Sequence, residues 1–145
     1  MGESLDILRY VAKKYNFWPE DPATQDAANG GFQVYSKLLG ATYPPVFAPP
    51  EAKPEKIEAS FAEWESFLAE FDTLCKGPWF CGDQINALDF AWGALYTQTF
   101  TNDLIYEKDR WAALLEQHPN WRAYGERYIA QLPADYLKNR PPIPV

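Results

Sequence analysis

Gly82-Asp83-Gln84-Ile85-Asn86-Ala87-Leu88-Asp89-Phe90 reads as the opening of a buried helix. Asn86 is a strong N-cap residue, because its short side chain accepts from an amide left free at a helix start. Asp89 stands three residues on. Its carboxylate can reach back to the Asn86 amide and complete a capping box, with Asp in place of the usual Glu or Gln. Ile85 and Phe90 take the N′ and N4 positions of a hydrophobic staple. The helix that follows, to about Thr101, is apolar on most faces, with Leu88, Trp92, Leu95, Tyr96 and Phe100. Such a helix, outside a membrane, belongs at the centre of a bundle.

Outward from that stretch, helical signals recur. Lys53 to Lys76 carries Ile57, Phe61, Trp64, Phe67, Leu68, Phe71 and Leu74 on one stripe, with Glu58, Glu63, Glu65 and Glu70 mostly off it. Gly77-Pro78 ends it. Asp21-Pro22 opens an earlier helix with an Asp cap and Pro at N1, and that helix is expected to stop near Gly40. Gly30-Gly31 lies inside it, where each Gly costs about 1 kcal/mol against Ala; the pair predicts a bend or a close approach. Ser4 to Tyr15 follows the helical period through Leu5, Leu8, Val11, Ala12 and Tyr15, with Lys13 and Lys14 at the end that suits cations. Asn16 to Pro22 reads as a connector whose Phe17 and Trp18 pack onto something. Ala41 to Pro54 reads as a loop. Asp109–Gln117 and Asn120–Gln131 are two short helices around His118-Pro119. Ala134 to Val145 holds Pro141, Pro142 and Pro144 and reads as extended. No strand alternation or internal repeat is seen, so the fold class is all-α.

The 145 residues fit one domain able to bury a sizeable core. A net charge of −7 argues against a nucleic-acid surface. No run of apolar residues is long enough for a membrane span, and the acidic start is unlike a secretory leader. Cys75 and Cys81 do not make a metal site; a disulfide is open to them, but they read as two small buried or half-buried residues. The sequence has no phosphate loop, nucleophile elbow or zinc-protease motif. His118 reads as a turn residue.

The Gly82–Phe90 segment resembles the start of the central helix in the C-terminal helical domain of cytosolic glutathione transferases, where a Gly-Asp turn, a Ser/Thr-type cap and a buried Asp recur. The likeness extends over nearly the whole chain. Residues 1–15, with Glu3-Ser4, resemble the last helix of the family's thioredoxin-like domain. Residues 16–22 resemble the interdomain linker, 23–133 the helical bundle, and 134–145 form the tail. The resemblance implies that Glu3 and Ser4 hold the γ-glutamyl end of glutathione, which suits the free amides at a helix start. It also implies that Tyr35, Leu39, Tyr96 and Phe100 line an apolar acceptor pocket. Ordinary packing is the competing reading for each of the four.

Glutathione transfer needs a group that lowers the thiol pKa. The family keeps it in the thioredoxin-like domain, which the chain is expected to lack apart from its last helix. No catalytic residue is therefore assigned, and no cofactor, with glutathione as the one candidate ligand. Two functions follow from the resemblance. One is a non-catalytic interaction or structural module in a larger assembly. The other is part of a transferase that conjugates glutathione to electrophiles. In the first, a protein partner covers Leu5, Leu8 and Val11. A homodimer is also open. The expected compartment is the cytoplasm, with an organellar assembly as the alternative.

Overall fold

The computed structural model describes residues 2–75 and 77–141. Eight helices run in chain order: α1 (Gly2–Lys14), α2 (Pro22–Thr42), α3 (Pro44–Phe47), α4 (Lys53–Leu74), α5 (Ala87–Phe100), α6 (Lys108–Gln117), α7 (Pro119–Ile129) and α8 (Tyr136–Asn139). Among the described residues no strand forms; there is one isolated bridge between Trp79 and Gly82. The all-α expectation holds.

Helix α5 is the hub and packs against α1, α2, α6 and α7. Its Leu88, Trp92, Leu95 and Tyr96 are all buried. The local devices at its start form as expected. Asn86 Oδ1 accepts from Leu88 N at 2.9 Å, and Asp89 Oδ2 accepts from Asn86 N at 2.9 Å. Around α5 lies an aromatic core. The rings of Phe67 and Trp92 stack at 4.6 Å, Phe80 and Trp92 at 5.2 Å, and Trp121 meets Phe71 edge to face at 5.0 Å. Offset stacks and edge-to-face pairs follow from the ring quadrupoles and add to plain burial.

The α1–α2 connector is packed, as its two large rings require. Asn16 takes the left-handed conformation (φ 62), and Phe17 N donates to Ala12 O at 2.8 Å, which closes the end of α1. Trp18 stacks on Phe32, Phe17 meets Phe90 edge to face, and Phe17 O accepts from Ala87 N at 2.8 Å. The connector thus ties α1 to the first turn of α5.

Three expectations need correction. Helix α2, expected to stop near Gly40, runs two residues further, to Thr42. The reason is Thr42, whose Oγ1 donates to Leu38 O and accepts from Trp64 Nε1 at 2.9 Å, which fixes the end of α2 to α4. The Ala41–Pro54 loop contains the single turn α3, which packs against α4. The tail is not wholly extended, since Tyr136–Asn139 forms α8. Its last four residues, 142–145, lie outside the described residues.

Candidate functional site

Asp89 is the most engaged polar group in the described chain. It is fully buried. Its Oδ1 accepts from Phe80 N at 2.9 Å and from Tyr124 Oη at 2.8 Å, while Oδ2 serves the Asn86 amide. The carboxylate therefore joins three segments: the 77–82 turn, the start of α5 and the middle of α7. Burial raises the Asp89 carboxyl above its ordinary value, although all three donors pull the other way. Burial, then the Asp89 charge, raises the Tyr124 phenol well above its own. Ile85 and Phe90 are both half-buried against the core, and Phe90 meets Phe17. This constellation ties the three segments together at a fully buried carboxylate.

The residues the resemblance assigns to ligands are spread out. Ser4 lies in the first turn of α1 with an exposed side chain. The side chain of Glu3 lies outside the described residues. Tyr35 is half-buried, edge to face with Trp92 at 5.7 Å, and burial raises its phenol. Leu39 is half-buried against the core, where its carbonyl accepts the amide of Tyr43. Tyr96 is buried, and its phenol is pushed up to about 12, by burial first. Its ring lies where a Cβ on Gly125 would meet it at 2.1 Å, which explains the glycine. Phe100 meets Tyr96 at 5.3 Å and also Trp64 and Trp111. Tyr96 and Phe100 are brought together against the aromatic core, Tyr96 buried and Phe100 half-buried.

Helix α1 holds what the sequence reading overlooked. Leu5 and Leu8 turn inward and pack on the core, so of the three residues expected to need cover only Val11 faces out. The outward face is Ile7 (64 % exposed), Tyr10 (71 %), Val11 and Tyr15. Ile7, Tyr10 and Val11 fall at i, i+3 and i+4, so the spacing was there to find. That helix has apolar residues on two faces, and the core covers only one.

Cys75 and Cys81 are both free and half-buried. Burial raises both thiols, Cys81 to about 11. Among the described residues no group of three His, Cys, Asp or Glu side chains could hold a metal, and no helix is long and apolar enough to cross a membrane.

The central capped helix, its buried Asp and the all-α bundle define a class of helical domain, and comparison with known proteins names it. Residues 51–127 match the family model described as "Glutathione S-transferase, C-terminal domain". The chain belongs to that family. It is similar to glutathione S-transferase Mu 1 of Macaca fascicularis, 34 % identical over 92 residues, or 61 % of this chain and 40 % of the relative. The match thus spans less than half the length of that relative. No solved structure matches the chain.

Proposed function

We propose that this chain acts as a non-catalytic protein-interaction domain of the glutathione transferase type, with a protein partner seated on the outward face of α1. The observation that carries this is the exposed row of Ile7, Tyr10, Val11 and Tyr15 on a helix whose other face is already packed. Apolar side chains clustered in this way mark an interaction surface. The chemistry of the remaining groups agrees. Asp89 is engaged in holding the fold, Tyr96 and Tyr124 are buried in the core, and burial raises both thiols. A homodimer is one form of this reading, and the cytoplasm is its proposed setting.

A photocrosslinker at position 10 tests it. It should capture a discrete protein partner, or a second copy, that the same crosslinker at exposed Glu70 does not. In parallel, the chain should not accelerate conjugation of glutathione to an aryl halide. Equal capture at both positions, or saturable turnover, would overturn the proposal.

The second reading is a transferase half in which Ser4 holds the γ-glutamyl carboxylate. It is favoured by the exposed Ser4 hydroxyl in the first turn of α1 and by the mu-class relative. Glutathione titration by NMR tests this directly. Saturable shifts at Ser4 and its neighbours that Ser4→Ala removes would support it, and flat signals up to millimolar glutathione would remove it.

A further inference from the structure

Two clefts adjoin along the first half of α2, where Thr24 and Cys81 line both, and together they are called the trough. One end, about 450 Å³, is apolar and walled by Ala27, Val34, Leu74 and Phe80. The other end, about 260 Å³, carries Glu20, Asp21 and Asp83. The larger volume falls in the range of small-molecule sites.

Gly30 forms part of the apolar wall. A glycine inside a helix weakens it, because the unfolded chain has more freedom to lose. Its neighbour Gly31 has a packing reason, since a Cβ there would lie 2.3 Å from Leu88 Cδ2. Gly30 has no such reason, because a Cβ on it meets nothing within 4 Å. The effect of Gly30 is to leave the wall bare where any larger residue would begin to fill the trough.

The charges have one sign. Among the described residues lining the trough none is basic. Cys81, at the junction, stays a neutral thiol at physiological pH because burial raises it to about 11. The Thr24 amide and hydroxyl lower the Asp21 carboxyl and keep it ionised. The nearby cations Arg9 and Lys13 lie over the Trp18 ring, at 6.0 and 5.8 Å.

We propose that this trough binds a small organic cation with an apolar body, of the arylalkylammonium class, with the body beside Gly30 and Val34 and the ammonium at Glu20 and Asp83. Nine residues separate Asp21 from Gly30, about 14 Å along a helix axis, which sets the length of the ligand. The apolar end supplies burial, and the acidic end selects the sign of the head group.

NMR titration of the whole chain with phenylhexylammonium, phenylhexanol and phenylhexanoate tests this. The ammonium should shift Thr24, Val34 and Phe80 with a Kd at least about tenfold below those of the alcohol and the carboxylate. Gly30→Leu should abolish those shifts while the helix melts no earlier than in wild type. The double variant Glu20→Gln, Asp83→Asn should weaken the ammonium to the level of the alcohol and leave the alcohol unchanged. Equal affinity for all three probes, no saturable shift, or undiminished binding by Gly30→Leu would overturn the proposal.

Discussion

At the scale of single residues, Asp89 shows why a capping motif can hold a domain together. Its two oxygens accept three hydrogen bonds, from Phe80 N, Asn86 N and Tyr124 Oη. Asp89→Asn keeps the volume and one oxygen but turns an NH2 group toward a backbone N–H. It should destabilise by about 1–3 kcal/mol, since a buried donor loses its acceptor. Chemical denaturation checks this, and an unchanged midpoint would contradict the assignment. The same substitution carries a pH signature. Burial raises the folded carboxyl of Asp89 above its ordinary value, so between the unfolded and folded pKa the folded chain holds more protons. Stability from this group is therefore full below the unfolded value of 3.8 and falls as pH rises through the folded one. The advantage of wild type over Asp89→Asn should shrink as pH rises across that window. Exposed Asp21, Glu58 and Asp103 have lowered carboxyls and act in the opposite sense, but they are common to both proteins and cancel.

The cap itself was legible because its chemistry is local: Asn86, Asp89 and their amides lie within four residues. The other two donors were not. Phe80 lies nine residues away and Tyr124 thirty-five, and no local pattern announces a phenol that reaches across the bundle.

At the scale of elements, the same division decides what the sequence shows. The stripe on α4 follows from periodicity and the mostly apolar α5 from its composition, and both appear as expected. The end of α2 depends instead on a contact twenty-two residues away, Trp64 Nε1 to Thr42 Oγ1, so Gly40 misled the reading. Thr42→Val is nearly isosteric and leaves the buried indole N–H without an acceptor. We expect a loss of about 1–3 kcal/mol and fraying of the last turn of α2, read as faster amide exchange at Thr42 and Tyr43. The two glycines of α2 differ in sign. Gly31→Ala must displace the Leu88 side chain, 2.3 Å from the new methyl, and should destabilise. Gly30→Ala meets open space and should stabilise by about 1 kcal/mol through helix propensity alone. Parallel thermal melts of the two variants check both, and shifts of the same sign would contradict this account. The acceptor-pocket residues meet a related limit of local pattern. Tyr96 and Phe100 sit at helical spacing whether they line a pocket or fill a core, and only the neighbours Trp121 and Gly125 place them in the core.

At the scale of the whole molecule, stability is distributed unevenly around α5. The aromatic core joins α4, α5 and α7 through Phe67, Trp92 and Trp121, all buried, and through the Asp89 carboxylate. Opening any one of these helices breaks contacts of the other two, so they should unfold together. Helix α1 is attached more lightly. Its inward side offers Ala12, with Leu5 and Leu8 only half-buried, and its direct packing on the hub is reinforced by the connector, through Phe17 O to Ala87 N and Trp18 on Phe32. Its outward side gains nothing from folding alone, because Ile7, Tyr10 and Val11 stay in water. Native-state hydrogen exchange should therefore resolve two openings. Amides in the middle of α5 should exchange only by global unfolding, with a denaturant dependence that matches the equilibrium transition. Amides of Leu8 to Ala12 should exchange at a lower free energy and with a smaller denaturant slope, because less surface is exposed when α1 lifts off. A partner bound on the outward face must raise the protection of α1 and leave α5 nearly unchanged until global stability rises. If α1 and α5 exchanged with one slope and one free energy in the chain alone, α1 would be an integral part of the bundle, and its exposed row would no longer mark a surface waiting for cover.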